Sequence, residues 1–167
     1  MIQEIDICNL RDVQYDRLLL LEESMDRDYE PFVDSKTGLV FDEWLVCRDI
    51  GPIGSRVAGS FEKILETSVS PRYYIQRKGM RLPFHCDRGT MCAVNLILNE
   101  SQDTIEFRVN DRIYENRYES ALIDTQTEHQ VVTVKGDRIL FKMSILDKSF
   151  NDCREAYVRY RENTTRA

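Results

Sequence analysis

The feature that most constrains the fold is a run of short, alternating apolar segments that starts at residue 72. Turn sequences such as RKGM (77–80), NDR (110–112) and KGD (135–137) separate the segments, and no helical pattern interrupts them. Seven or so short strands with tight connections indicate an antiparallel sandwich or barrel. The segments are RYYIQ, RLPFHCD, MCAVNLILNE, TIEFRV, IYEN, SALID, EHQVVTV and RILFKMSIL.

Two helices are predicted before this run. The first follows Asn9 and Asp12, which are typical N-cap residues. Its apolar stripe is Val13, Leu18, Leu21 and Met25. The second follows the break GPIGS (51–55), and its apolar residues recur at helical spacing. They are Val57, Phe61, Ile64 and Leu65.

The chain of 167 residues fits one domain. We expect residues 1–70 to be a mostly helical support region, residues 71–147 a β core, and residues 148–167 a C-terminal helix or tail. One face of RILFKMSIL is continuously apolar, and the N-terminal helices can cover it. That face consists of Ile139, Phe141, Met143 and Ile145. Arg138, Lys142 and Ser144 lie on the opposite face, which we expect to line a polar cavity.

Composition excludes several classes of function. With 23 Lys and Arg against 29 Asp and Glu, the net charge is −6, which argues against nucleic-acid and anionic-membrane partners. The N-terminus has no basic region, which argues against a signal peptide, and the longest apolar run, Leu18 to Leu21, is too short to cross a bilayer. Five cysteines at irregular spacings, with no CxxC pair, favour reduced thiols in a cytoplasmic protein over a disulfide framework or a thiolate zinc site.

The candidate chemistry lies in His85, Asp87 and His129. The chain has only two histidines, and His85 and Asp87 are two residues apart, so on one strand both point to the same face. By the same parity Arg81 points inward and Cys86 outward. Two imidazoles and one carboxylate suit non-haem Fe(II) with open positions. The same ligands could hold Zn²⁺ with an open site for water, or be an accidental run of polar residues.

Arg138 follows His129 by nine residues, beyond the KGD turn. Five strand residues between His129 and the turn cover about 16 Å. The long arginine side chain can lean back over part of that distance, which leaves room for a short dicarboxylate. Arginine suits a terminal carboxylate because its guanidinium group binds it through two parallel hydrogen bonds.

These residues resemble the 2-oxoglutarate- and Fe(II)-dependent oxygenases of the prolyl-4-hydroxylase-like type. The resemblance covers about residues 72 to 146: GMRLPFHCD, LILNE and ALIDTQTEHQVVTVKGDRILF look like that family's segments, and TIEF is similar to another without its two glycines. It implies a mainly β fold with flanking helices, in which a double-stranded β-helix (jelly-roll, cupin-like) core rests on the N-terminal helices.

The resemblance also implies roles for single residues. His85, Asp87 and His129 would be the iron ligands, and Arg138 would bind the distal carboxylate of 2-oxoglutarate. Tyr74 would contact this cosubstrate. The family's usual tyrosine is replaced by Gln76, and Tyr74 alternatively packs in the core.

Other residues have weaker assignments. Asn95 would also face the cosubstrate, or alternatively bond neighbouring strands. Arg81 would contact an anionic or carbonyl-bearing substrate at the cavity mouth, or be a solvated arginine at the rim. Lys142 stands where the family has a small or aromatic residue; it could touch substrate, pair with an acid such as Asp124, or reach solvent. Trp44 is interpreted as core packing beneath the helices rather than a lid.

The function implied is hydroxylation of an unactivated C–H bond of a small molecule or peptidyl residue, with Fe(II), 2-oxoglutarate and O₂, and with release of succinate and CO₂. Asp87 as a ligand favours hydroxylation over halogenation. Two alternatives stay open: a cupin-like zinc or iron protein that does not use 2-oxoglutarate, and a non-catalytic β-sandwich binding module. The sequence does not choose the substrate.

Overall fold

The computed structural model describes residues 1–101, 103–131 and 135–165, and within these ranges the chain forms eleven strands and three α-helices. In chain order they are β1 (Ile2–Glu4), α1 (Arg17–Met25), β2 (Glu30–Val33), β3 (Val40–Cys47), α2 (Pro52–Leu65), β4 (Ser70–Gln76), β5 (Leu82–His85), β6 (Cys92–Ile97), β7 (Ile105–Val109), β8 (Arg112–Asn116), β9 (Ser120–Ile123), β10 (His129–Val131), β11 (Arg138–Ile145) and α3 (Phe150–Thr165). None of these helices is both long and apolar enough to cross a membrane.

The strands form two antiparallel sheets. Seven strands lie in the order β1-β9-β6-β11-β4-β3-β2, and four lie in the order β5-β10-β7-β8. Strands β4 to β11 thus contribute four strands to each sheet. Residues from the inner faces of both sheets pack together, among them Leu140 and Tyr74 from one sheet and Phe107 from the other. This is the predicted double-stranded β-helix, or jelly-roll, core.

The outer face of the larger sheet is covered by the helices. Phe141, Met143 and Ile145 of β11 belong to the same buried cluster as Phe61 of α2 and Cys153 of α3. The predicted apolar face of β11 and its helical cover are therefore confirmed. The polar residues of β11 are left on the inner face of the sheet.

The first helix differs from its prediction. It begins at Arg17, and Asp16 is the N-cap, whose side chain accepts hydrogen bonds from the amides of Leu18 and Leu19. Leu18 and Met25 of the predicted stripe are 62% and 60% exposed. Glu23 is buried instead, because its carboxylate bonds other elements of the fold.

The N-terminal region also contains three strands that the sequence did not predict, β1, β2 and β3. Strands β3 and β2 extend the large sheet beyond β4, and β1 pairs with β9 at the opposite edge. Most of their side chains are exposed or half-buried, so they show little of the apolar alternation that predicts a strand. In the C-terminal segment, Phe150–Thr165 form a helix.

The tight connections have the predicted turn chemistry. Asn110 and Asp111 both have positive φ and join β7 to β8 as a two-residue hairpin loop. In the RKGM turn the Met80 amide bonds the Arg77 carbonyl at 3.1 Å, and Gly79 has a φ of 87°. The predicted strand EHQVVTV is described only as far as Val131; residues 132–134 lie outside the described residues.

Candidate functional site

The two histidines are brought together by strand register. In the pairing of β10 with β5, His129 lies directly opposite His85. Their ring centroids are 4.5 Å apart. Residues 44 positions apart in the chain thus become neighbours through one antiparallel pair.

A bulge in β5 changes which of its residues face inward. Three residues of β10 are matched by four of β5, because Val131 pairs with Leu82 while His129 pairs with His85. Leu82 therefore faces the cavity together with His85, and Pro83 is exposed. The parity prediction for Arg81 is wrong: Arg81 is exposed and does not line the cavity.

Asp87 lies beyond the end of β5, so its direction is set by a loop and not by strand parity. Its amide donates to the carbonyl of Thr125, and its carbonyl accepts from the Gln126 side chain. These bonds fasten the loop after β5 to the loop before β10. Cys86 is exposed, as predicted, and its thiol donates to the carbonyl of Gln126.

Both imidazoles present Nε2 to the same carboxylate oxygen. Nε2 of His85 lies 3.4 Å and Nε2 of His129 lies 3.7 Å from Oδ1 of Asp87. The Nδ1 atoms lie 2.7 Å and 2.9 Å from the carbonyls of Pro83 and Thr127. A carbonyl only accepts, so it assigns the proton to Nδ1 and leaves the Nε2 lone pair for a metal.

The pKa values of the three groups follow from burial and mutual contact. Burial acts to raise the pKa of Asp87, but Lys142 and the contact with His85 outweigh it and hold that pKa well below its usual range. Burial lowers the pKa of His129. The pKa of His85 is raised, because its contacts with Asp87 and the Pro83 carbonyl outweigh burial. Asp87 is therefore ionised at neutral pH, as a ligand must be.

The donor set fits a divalent metal ion. One ligand atom each from His85, Asp87 and His129 lies within 4.8 Å of the others. Two neutral imidazoles and a carboxylate on one side of a cavity suit Fe(II) with open positions, and also Zn²⁺. Both histidines already have the backbone partners that orient metal-bound imidazoles.

Lys142 is part of this cluster. Its ammonium lies 2.6 Å from Oδ2 of Asp87, and each side chain exposes only 17% of its surface. Burial acts to lower the pKa of Lys142, but the Asp87 charge outweighs it and the pKa is raised. The alternatives of Asp124 and of solvent are wrong, since Asp124 accepts from Gln126 and Thr127.

Arg138 closes the other end of the cavity. It is 3% exposed, and it donates to Oε1 of Gln76 at 3.0 Å and to the hydroxyl of Tyr118 at 2.7 Å. Asn95 also donates to that hydroxyl, at 3.0 Å. Nε of Arg138 and Oδ1 of Asn95 are buried and have no hydrogen-bond partner among the described residues. Such unpaired polar atoms are expected where a polar ligand binds.

The predicted residues Tyr74 and Asn95 both line the cavity with Arg138, and so does Gln76. Gln76 rather than Tyr74 bonds the arginine, because it lies directly opposite Arg138 in the pairing of β4 with β11. Tyr118 was not predicted. It lies in a polar loop between β8 and β9, where no periodicity marks it.

Trp44 also lines the cavity, so its placement beneath the helices is wrong. It stacks on Phe32 with ring centroids 4.2 Å apart, and its ring centroid is 5.6 Å from that of Tyr74. Its indole Nε1 is buried and has no hydrogen-bond partner within the part of the chain that the structure describes. The β2–β3 hairpin therefore supplies an aromatic wall.

The enclosed space is small. The cavity measures about 50 Å³. That volume accepts an ion with a few water molecules, since one water needs roughly 10–15 Å³ of such space. Binding of a larger molecule requires side chains to move.

No family model matches the sequence, and no curated protein matches it. Solved structures do match. A prolyl hydroxylase from Trichoplax adhaerens, in complex with a peptide fragment of the hypoxia inducible factor oxygen degradation domain, superposes over 95% of this chain and 85% of its own, with a TM-score of 0.69 and 7% identity.

Two bacterial structures agree. A Pseudomonas putida prolyl-4-hydroxylase has a TM-score of 0.60 and 12% identity over 79% of this chain and 86% of its own. An oxidoreductase of the 2OG-Fe(II) oxygenase family from Burkholderia pseudomallei has a TM-score of 0.57 and 13% identity over 78% of each chain. The fold is that of the prolyl hydroxylases.

The predicted resemblance to a prolyl-hydroxylase-like fold is thereby confirmed. At 7% to 13% identity the likeness extends to the fold alone. Within the prolyl-hydroxylase fold, an assignment of activity has to come from the residues of this cavity.

Proposed function

We propose that this chain is a 2-oxoglutarate- and Fe(II)-dependent oxygenase that hydroxylates an unactivated C–H bond and releases succinate and CO₂. The observation that carries the proposal is one cavity that holds both a His85–Asp87–His129 donor set and a buried arginine, Arg138. The donor set fits Fe(II), and the guanidinium fits a carboxylate. The fold and its oxygenase neighbours agree with this assignment.

Each end of the cavity has a separate task. Nε2 of the two histidines and Oδ1 of Asp87 would hold iron. Arg138 would hold the distal carboxylate of 2-oxoglutarate, while Gln76 and Tyr118 keep its guanidinium in place. When bound, iron with 2-oxoglutarate and oxygen supplies the oxidation of a C–H bond.

The remaining lining residues exclude water and orient the bound molecules. Leu82, Ile105, Ile123, Val131 and Leu140 give the cavity an apolar wall. Electrostatic contacts with Asp87 and Arg138 are strengthened where water is excluded. Asn95 would place its unpaired oxygen and amide toward the cosubstrate, and Tyr74 would pack beside it.

The substrate class proposed is a peptidyl residue or a small molecule. The Trichoplax adhaerens enzyme of the same fold was solved with a peptide fragment. Here Trp44 lines the cavity and Phe32 stacks on it, and the two rings offer a surface for a flexible chain. We assign no substrate contact to Arg81, because it lies outside the lining.

The deciding experiment is anaerobic titration of purified protein and Fe(II) with 2-oxoglutarate. We expect a weak visible charge-transfer absorption to develop, and succinate to form when oxygen and a substrate from a panel of peptides and small metabolites are added. The matched control is His129→Ala, which removes one ligand. Absence of the absorption together with absence of 2-oxoglutarate binding by calorimetry would contradict the proposal.

A second candidate is a metal-dependent enzyme of this fold that does not use 2-oxoglutarate. It is favoured by the cavity volume of about 50 Å³ and by the two neutral groups that already bond Arg138. In that case the protein binds iron or zinc, and 2-oxoglutarate changes neither the spectrum nor the heat of titration.

A further inference from the structure

The carboxylate of Asp87 is divided between two partners. Oδ1 faces Nε2 of both histidines, while Oδ2 lies 2.6 Å from the ammonium of Lys142. A divalent ion among the three ligand atoms would therefore meet Oδ1, and Oδ2 would remain on Lys142. The pairing permits monodentate ligation and opposes bidentate ligation.

Lys142 is held in this position by the sheet. It lies on β11 four residues after Arg138, so both cations face the same cavity, and Asn95 lies opposite it on β6. Four strand residues separate the two Cα atoms by about 13 Å. Arg138 thus lies at the end of the cavity proposed for the distal carboxylate of 2-oxoglutarate, and Lys142 lies at the end with the metal ligands.

The charges of the described lining residues do not balance. Asp87 is the one acidic residue among them, and Arg138 and Lys142 are the basic ones. A divalent ion would add two positive charges to this surplus of one. A dianionic ligand would then remove two of the three. The site therefore disfavours the metal ion on its own and favours an anion once the metal is bound.

We propose that Lys142 is a positioning residue that holds Oδ2 of Asp87, directs Oδ1 to the metal, and trades affinity for the metal against affinity for the dicarboxylate. This inference rests on the proposed function. A partner that donates a hydrogen bond without a charge would leave the carboxylate more basic; a cation weakens it as a ligand. Lys142 thereby couples anion binding to metal binding.

The test compares Lys142→Met and Lys142→Gln with the unmodified protein. Mn(II) affinity is measured by electron paramagnetic resonance, and 2-oxoglutarate affinity of the Mn(II)-loaded protein by calorimetry. We expect Mn(II) to bind about tenfold more tightly and 2-oxoglutarate about tenfold more weakly in both variants. Lys142→Gln retains a hydrogen-bond donor without the charge, so it separates charge from hydrogen bonding.

The matched control is Lys63→Met, which removes an exposed positive charge from α2 and should change neither affinity. Parallel loss of both affinities in both Lys142 variants, or no change in either, would overturn the inference while leaving the proposed function in place. If the unmodified protein binds Mn(II) but does not bind 2-oxoglutarate, the oxygenase proposal fails. In that case, an Mn(II) affinity that is the same in the variants as in the unmodified protein would also overturn the role of Lys142. Unmodified protein that binds neither overturns both.

Discussion

The two histidines and Arg138 each have part of the side chain bonded to the protein and another polar atom left for a ligand. The histidines commit Nδ1 to carbonyls two residues earlier, and Arg138 commits two nitrogens to Gln76 and Tyr118. The atoms left for a ligand are Nε2 of both imidazoles, which face Asp87, and Nε of Arg138, which has no partner among the described residues. Such commitments cost side-chain entropy during folding, so a ligand meets groups that are already oriented.

Arg138→Ala is expected to separate the two ends of the cavity. The variant should lose about 100-fold in affinity for 2-oxoglutarate, because two hydrogen bonds between charged groups are lost, and it should bind Mn(II) as before. Calorimetry on the Mn(II)-loaded protein measures the affinity for 2-oxoglutarate, and electron paramagnetic resonance measures the affinity for Mn(II). Arg112→Ala, on the exposed strand β8, is the control. A loss of Mn(II) affinity as large as the loss of 2-oxoglutarate affinity would show that Arg138 supports metal binding.

At the level of elements, helix α1 supplies the cap of helix α2. The N-cap residue of α2 is Gly51, which has no side chain to accept from the first amides. Glu23 of α1 accepts instead from the amides of Ile53 and Gly54 at 2.8 and 2.9 Å, and from the hydroxyl of Tyr73 at 2.6 Å. This carboxylate joins two helices to β4, behind the sheet that carries Arg138 and Lys142.

Glu23→Gln should lower the free energy of unfolding by about 2 kcal/mol at neutral pH. Burial acts to raise the pKa of Glu23, but the bonds from Tyr73, Gly54 and Ile53 outweigh it and the pKa is lowered from its ordinary value. The stabilisation is therefore present above pH 4.5 and is lost as the pH falls through the lower, folded-state value.

Denaturant unfolding of Glu23→Gln and the unmodified protein between pH 7 and pH 3 measures this difference. The gap in unfolding free energy should narrow toward acid pH. Glu22→Gln, on the exposed side of the same helix, should show a small difference at every pH. A gap for Glu23→Gln that is constant with pH would contradict the assignment.

Two glycines of α2 should respond to alanine with opposite signs. A Cβ on Gly54 would lie 2.8 Å from the Tyr73 hydroxyl and 3.1 Å from Oε1 of Glu23, whereas a Cβ on Gly59 would meet nothing within 4 Å. Gly59→Ala should therefore stabilise by about 1 kcal/mol, through helix propensity. Gly54→Ala should destabilise by about 2 kcal/mol, because the new methyl group forces the cap apart. Thermal unfolding of both variants measures the two changes in stability. Changes of the same sign would show that the cap adapts to the new methyl group.

At the level of the whole molecule, the metal ligands belong to the smaller sheet and its loops, and the two cations belong to the larger sheet. A bound ion and dicarboxylate would link the two sheets across the cavity. We propose that the described chain is one domain, because the helices and the larger sheet share one buried cluster.

Metal binding should stabilise the folded protein. At a free Mn(II) concentration about 100-fold above the dissociation constant, linkage predicts about 2.7 kcal/mol and a higher melting temperature. His129→Ala should lose this rise, since it removes a ligand that is 6% exposed and lies between the sheets. Differential scanning calorimetry with and without Mn(II) provides the measurement. An equal rise in His129→Ala would place the ion elsewhere.

The resemblance to the oxygenases implied the jelly-roll core, whereas the sequence pattern alone predicted an antiparallel sandwich or barrel, the apolar face of β11, the hairpin turns and the candidate residues His85, Asp87, His129 and Arg138. These follow from short-range patterns: alternation in strands, turn residues with positive φ, and the scarcity of histidine. Each is decided within a few residues of chain, where steric and hydrophobic preferences act directly.

The orientation of these side chains and the residues they contact depend on the tertiary structure. The bulge that turns Arg81 outward, the loop that aims Asp87, and the contacts of Lys142, Gln76 and Tyr118 depend on which strands pair and in what register. Glu23 is buried for the same reason, since its partners lie 30 and 50 residues away. Spacing in the sequence gives no distances between segments. Alternation along a strand can therefore predict that a polar side chain faces a cavity, but the residue that it contacts depends on strand pairing and register.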